Sequence, residues 1–387
     1  MQNFDYQTPT RLIFGKDSIE KLPEVMKPLG KRALLTYGGG SIKKNGIYDK
    51  VKQLLGDYEI YELSGIAPNP KYTESVVPGV RLCRQYQIDV ILAVGGGSVL
   101  DCSKAIAAGA KYDGETWDLI SGKVQAEAAL PIVDIMTMAA TGSEYDNGCV
   151  ISRTETNDKV GYSDSHLFPV ASILDPTYTF SVSKRQTAAG VADAMNHTIE
   201  QYFAEDTTLL NDGICEANLR SLMTNVKIVL EDPENYKARA EIFQCCAYGC
   251  NGILALGNSY SGWPCHGMEH ALSAYYDITH GIGLAILTPR WMKHILNEHT
   301  LPRFVKFAVN VMGIQPDGDD WKTAEQGIDA LYAFFVSIGI PMHLKDVGID
   351  DSRIDEMAKH VVEGWPIQYG YVPLNAEDIA EIFRASL

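Results

Sequence analysis

Two short apolar runs in this chain end in the same four residues. Arg32–Tyr37 (RALLTY) leads into Gly38-Gly39-Gly40-Ser41, and Asp89–Val94 (DVILAV) leads into Gly95-Gly96-Gly97-Ser98. A helix-like stretch follows each, from about Asn45 to Leu55 and from about Val99 to Ala110. Pro131–Thr137 and Val170–Leu174 are further strand candidates. Strands that alternate with helices in this way predict a parallel sheet covered by helices on both faces, an α/β domain.

From about Ser183 the pattern changes. Arg185–Ala204, Leu209–Leu230 and Tyr236–Leu256 carry helical periodicity and little strand signal. Asp175-Pro176 and the polar stretch to Lys184 mark the expected boundary, giving an α/β domain over 1–182 and an all-α domain over 183–387. The chain's 387 residues suit two domains, and 46% hydrophobic residues can fill both cores. Its 33 basic and 49 acidic residues leave a formal charge of −16, with no Lys/Arg cluster. That balance argues against a nucleic-acid partner. The opening MQNFDYQTPTRLIFG lacks the basic and apolar segments of a signal peptide, and no apolar run is long enough to span a bilayer. The eight cysteines are scattered and read as reduced thiols, so a cytoplasmic protein with no membrane partner is expected.

A glycine turn between a strand and a helix lets backbone approach a ligand, and the helix N-terminus offers free N–H groups to a phosphate. Ser98 is expected to cap the second helix, with Asp101 as its capping-box partner. Neither loop is a G-x-G-x-x-G fingerprint, because Leu100 stands where the third glycine belongs. Two such loops at strand ends of one sheet nevertheless predict a dinucleotide crevice. Gly38–Ser41 presents backbone N–H, a hydroxyl and the nearby Lys43 and Lys44, a composition that favours NADP over NAD.

A second constellation lies downstream. Asp193 and His197 are spaced i,i+4 in a strongly helical pattern, so they share a face, and Glu200 and Gln201 continue it. His266, His270 and His280 fall within fifteen residues, separated by apolar and aromatic positions. Buried, clustered histidines point to a shared metal. One carboxylate with imidazoles suits Fe(II) or Zn(II) rather than Ca or Mg. Spacing alone does not separate His270 from the ligands.

These segments carry a resemblance. Pro9-Thr-Arg-Leu-Ile-Phe-Gly15, Gly95-Gly-Gly-Ser-Val-Leu-Asp101, Thr141-Gly-Ser-Glu144, Gly190-Val-Ala-Asp-Ala-Met-Asn-His197 and His266…His280-Gly281 follow one another as in the iron-containing (group III) alcohol dehydrogenases. The chain resembles their NADP-dependent aldehyde reductase and butanol dehydrogenase branch nearly end to end. The resemblance implies a Rossmann-like N-terminal domain and a helical C-terminal domain, the dehydroquinate synthase-like architecture, with the active site where the two meet. It implies a divalent metal held by Asp193, His197, His266 and His280, with His270 close by as a proton relay or a hydrogen-bonding neighbour of a ligand. It places the coenzyme pyrophosphate on Gly96, Gly97 and Ser98, with Thr137, Thr141, Asn147 and Lys159 lining the coenzyme. Gly38, Gly39 and Ser41 would receive a 2′-phosphate. The implied activity is reversible hydride transfer between NADP(H) and a primary alcohol or aldehyde, in a homodimer. Glu144-Tyr145-Asp146 departs from some members, which leaves the shape of the substrate pocket open.

Three rival readings keep other classes in view. A lyase of the dehydroquinate synthase kind would need a basic cluster near the ligands. A non-haem iron oxygenase would need only two histidines and one carboxylate. A binding protein on a decayed enzyme scaffold would have lost ligands, and none of the four is missing.

Overall fold

The computed structural model describes all 387 residues, which divide into two compact units. One comprises Gln7–Val182 and Cys246–Asn251; the other comprises Met1–Tyr6, Ser183–Cys245 and Gly252–Leu387. The expected division after residue 182 overlooks two exchanges. Met1–Tyr6 belongs with the helices, and Cys246–Asn251 belongs with the sheet.

The sheet unit contains β1 (Arg11–Phe14), β2 (Arg32–Tyr37), β3 (Glu59–Leu63), β4 (Val90–Gly95), β5 (Ile132–Met136), β6 (Gly148–Arg153), β7 (Asp158–Ser163) and β8 (Ala171–Leu174). Its helices are α1 (Leu22–Met26), α2 (Ser41–Lys44), α3 (Ile47–Leu54), α4 (Val77–Gln85), α5 (Gly97–Lys111) and α6 (Thr116–Ile120). Six strands form one parallel sheet in the order β1-β8-β5-β4-β2-β3, while β6 and β7 make a separate antiparallel hairpin. β4 and β5 are buried throughout, and their apolar runs made them legible. β1 and β3 lie at the sheet edges, are four and five residues long, and contain only partly buried and exposed positions. From β2 the chain builds outward to β3 on one side and, through β4, to β5 on the other. The sheet's switch point therefore lies between β2 and β4, where an open α/β sheet binds its ligand. Ile19, Leu22, Val51, Leu92 and Ile135 belong to the core packed on this sheet.

The helical unit contains α7 (Lys184–Tyr202), α8 (Leu209–Glu231), α9 (Tyr236–Gly249), whose last residues join the sheet unit, α10 (Pro264–Tyr276), α11 (His280–Ile295), α12 (Leu301–Asn310), α13 (Asp320–Ser337), α14 (Ile354–Gly364) and α15 (Ala376–Ala385). α7 is its central helix: every residue from Thr187 to Tyr202 is buried. A helix with no solvent face needs apolar or satisfied polar groups all round, so the polar residues that α7 carries demand partners. Beside it, Phe203 packs on Phe304, Phe307 and Trp291, with ring centroids 4.8, 5.6 and 5.8 Å away. No helix is long and apolar enough to cross a membrane.

Candidate functional site

In the sheet unit, the residues expected to line a dinucleotide follow the C-terminal ends of three adjacent strands. Gly38–Ser41 follows β2, Gly96–Ser98 follows β4, and Thr137–Thr141 follows β5; Tyr37 pairs with Val94, and Gly95 with Met136. The Gly38 carbonyl accepts from Gly65 N at 3.1 Å, and the Gly95 carbonyl accepts from Thr137 N at 2.9 Å. Gly97 has a steric reason to be glycine: a Cβ there would collide with Thr141 Oγ1 and lie 3.0 Å from its Cβ. Asn147 directly precedes β6 and its carbonyl accepts from Asp164 N at 3.2 Å, while Lys159 is buried on β7 opposite Ser152.

The capping box does not form. α5 begins at Gly97, with Gly96 as an N-cap that has no side-chain bond, and Ser98 is already inside the helix. Asp101 turns into the protein, where Oδ1 accepts from Ser143 Oγ at 2.8 Å and Oδ2 from Val150 N at 3.0 Å. The reason is Lys104, one helical turn on and fully buried. Its Nζ donates to Ser143 O and Oγ, Asp146 O and Oδ1, and Gly148 O, all at 2.7–3.0 Å. Burial opposes this ammonium, but Asp146 and Asp101 hold its pKa above the ordinary lysine value. Burial raises Asp101 to about 6 and Glu144 to about 7, and both carboxyl oxygens of Glu144 lack a hydrogen bond. Asp101 thus braces the segment that follows Thr141 rather than capping α5.

An acid on the neighbouring strand reaches the end of β2, which composition alone conceals. Glu62, on β3, accepts from the hydroxyls of Tyr37 (2.8 Å) and Tyr48 (2.7 Å). Burial would raise its carboxyl, but these bonds with Lys52 and Lys43 hold it below the ordinary range. Lys43 Nζ sits 5.0 and 4.7 Å from the centroids of those same two rings.

In the helical unit, α7 contributes Asp193 and His197, α10 contributes His266 and His270, and α11 opens with His280. One donor atom each from Asp193, His266 and His280 lies within 4.8 Å of the others. The Nε2 atoms of His197, His280 and His266 are 3.3, 3.6 and 3.9 Å from Asp193 Oδ1. His197 stacks on His266 with ring centroids 4.9 Å apart. Asp193, His197 and His266 are buried, and His280 is partly so. Nε2 of His266 is buried and makes no hydrogen bond.

Two close approaches set this geometry. A Cβ on Gly281 would collide with the Ala189 carbonyl, so glycine lets the start of α11 reach α7 one turn before Asp193. A Cβ on Gly267 would come within 2.8 Å of the Trp365 ring. His270 is buried beside the set, its ring 5.7 Å from His280 and 5.0 Å from Trp365. It shares a second 4.8 Å grouping with Glu269 and His280.

Two buried carboxylates complete the arrangement. Glu200 Oε2 meets His266 Nδ1, and Glu269 Oε2 meets His280 Nδ1. Burial alone would lower the pKa of His266, but Glu200, Asp193 and Glu269 outweigh it and raise it, which marks a local potential that favours cations. Spacing puts Glu200 on the stripe of Asp193 and His197, whereas Glu269, between His266 and His270, carries no local signal of its partner.

Comparison with known proteins covers the whole chain. Residues 9–176 match the family described as iron-containing alcohol dehydrogenase, and residues 187–387 match the Fe-containing alcohol dehydrogenase family, C-terminal. The NADH-dependent butanol dehydrogenase A of Clostridium acetobutylicum is 48% identical over 390 residues, covering 100% of both chains. The NADPH-dependent aldehyde reductase YqhD of Escherichia coli is 37% identical over 375 residues, covering 96% of this chain and 95% of that one. The crystal structure of NADH-dependent butanol dehydrogenase A from Thermotoga maritima superimposes with a TM-score of 0.95 at 37% identity, covering 100% of this chain and 99% of that one.

Proposed function

This chain belongs to the iron-containing alcohol dehydrogenase family, whose members are oxidoreductases of alcohols and aldehydes, and from that premise we propose that it interconverts primary alcohols and aldehydes at one divalent metal, Fe(II) or Zn(II), with NADP(H) as coenzyme. The observation that carries this reading is the convergence of His266 Nε2 and His280 Nε2 on the Asp193 carboxylate, where His266 Nε2 is buried and has no hydrogen bond. A buried polar atom without a partner is costly, and one oxygen with three imidazoles is a donor set that Fe(II) and Zn(II) accept. His197, 3.3 Å from the same Asp193 oxygen, supplies the fourth donor. When bound, the ion supplies Lewis acidity that polarises a substrate oxygen.

The chain's own residues do the rest. Asp193 and the three imidazoles fix where the substrate oxygen binds. The Gly96–Ser98 turn and the N-terminus of α5 hold the coenzyme pyrophosphate, with Thr137, Thr141, Asn147 and Lys159 along its length. His270 carries the hydroxyl proton between substrate and solvent. A bound nicotinamide would supply the hydride chemistry, so no side chain need act as a nucleophile.

NADP is favoured because Lys43 and Lys44 follow Gly38–Ser41, while Glu62 on the adjacent strand is occupied by two tyrosine hydroxyls. The named relatives divide on this point, with NADH-dependent and NADPH-dependent enzymes among them. Assays of the metal-loaded protein with butanal are expected to oxidise NADPH with a higher kcat/KM than NADH. His280→Ala is expected to lose the metal and to cut turnover by roughly 10³-fold. Retained metal with near-normal turnover in that variant would remove His280 from the site, and failure to oxidise either coenzyme with any aldehyde would end the proposal.

A further inference from the structure

We propose that Glu200 and Glu269 are positioning residues for the metal centre: each accepts a hydrogen bond from the Nδ1 of one imidazole and so commits the opposite nitrogen, Nε2, to the ion. The inference rests on the metal reading above and extends it by naming what orients two of the ligands.

Both carboxylates are 0% exposed. A buried carboxylate needs a reason to be there, and each of these has one. Glu200 Oε1 accepts from the backbone N–H groups of Cys265 at 2.6 Å and His266 at 3.3 Å, while Oε2 takes the His266 Nδ1. Those N–H groups open α10 and have no partner inside the helix, so an anion is favoured there. One side chain from α7 thus fixes both where α10 starts and how its first histidine is turned.

Glu269 does the corresponding work between α10 and α11. Its Oε1 accepts from Ser273 Oγ and its Oε2 from His280 Nδ1. The space for it comes from Gly283, where a Cβ would lie 2.8 Å from Glu269 Cγ and 3.1 Å from Oε1.

An imidazole that donates its Nδ1 proton presents a lone pair at Nε2, and a carboxylate acceptor makes that lone pair more basic. The Nε2 atoms selected in this way are the ones 3.9 and 3.6 Å from Asp193 Oδ1. Two imidazoles from different helices therefore aim the same nitrogen at one oxygen because each is pinned from behind.

The test uses the full chain and Co(II) alone. Wild type, Glu200→Gln, Glu269→Gln and Gly283→Ala are loaded with Co(II), the visible ligand-field absorption is recorded, and affinity is measured against a competing chelator. Each variant is expected to bind Co(II) roughly 10–100-fold more weakly with an altered absorption band, while the metal-free proteins melt close to wild type. A purely structural role would move the melting temperature and leave the band unchanged. Gly283→Ala keeps both carboxylates but displaces Glu269, so it carries the test if a glutamine variant does not fold. Variants with wild-type affinity and spectrum would overturn the inference and leave the metal site standing. A wild type that takes up no Co(II) would overturn both.

Discussion

The sheet unit and the helical unit each bury a cluster of charged side chains, but they neutralise it differently. Around Lys104 the network closes on itself: five acceptors lie within 3.0 Å of one ammonium, and Asp101 and Asp146 supply the countercharge. Around Asp193 the groups converge on shared space, Nδ1 nitrogens turned outward to carboxylates and Nε2 nitrogens turned inward, with His266 Nε2 making no hydrogen bond. A saturated network holds a loop in place, whereas an incomplete one made of metal-compatible donors is the arrangement on which the proposed metal site rests. Glu144 and Asp134 mark the limit of that rule. Three of their carboxyl oxygens lack hydrogen bonds, yet no imidazole joins them, and burial raises the pKa of both acids. Ser172 Oγ donates towards both the Glu144 carbonyl, at 2.6 Å, and Asp134 Oδ2, which ties the two acids to one hydroxyl.

The sharpest way to break the comparison is Lys104→Met. It strands two carboxylates and three carbonyls, so a loss of about 3–5 kcal/mol in folding stability is expected, measured by denaturant unfolding. Metal content per folded chain should stay unchanged. A loss of metal with stability intact would reverse the roles assigned to the two clusters.

Glu144→Gln probes the exception. The Glu144 carboxyl titrates near 7 in the folded chain, against 4.5 ordinarily. Between those values the folded state holds the extra proton, so this group makes stability fall as pH rises, with the full penalty present above about pH 7. The glutamine variant removes that slope, and its stability relative to wild type should grow by about 3 kcal/mol from pH 4 to pH 8. A difference that does not change with pH would mean that Glu144 is charged and paired after all.

Gly97→Ala is the mildest of the three. The added methyl must push Thr141 aside, which should raise the KM for NADPH by roughly tenfold while leaving metal content and the aldehyde KM near wild type. An unchanged coenzyme KM would detach this turn from the coenzyme.

The legible parts of the fold were those where burial writes a simple pattern. β2, β4, β5 and α7 read correctly because each is a dense run with one periodicity. β1 and β3 were missed because edge strands carry charges and are short, and the β6–β7 hairpin because it joins neither edge of the main sheet. At the candidate site, i,i+4 spacing and crowded histidines single out Asp193, His197, His266 and His280, side chains that the fold brings near one another. Asp101 was misjudged because a capping box and an inward hydrogen-bonding acid have the same spacing, and only the position of Lys104 separates them. Glu269 was passed over because its partner, His280, lies on the next helix, a relation that no local pattern encodes.

The most direct measurement is anomalous X-ray scattering from crystals of the metal-loaded protein, collected across the absorption edge of the bound element. One peak per chain is expected, about 2.0–2.2 Å from an Asp193 carboxylate oxygen and from Nε2 of His197, His266 and His280. A peak held instead by Glu269 and His270, or no peak in protein that oxidises NADPH with an aldehyde, would contradict it.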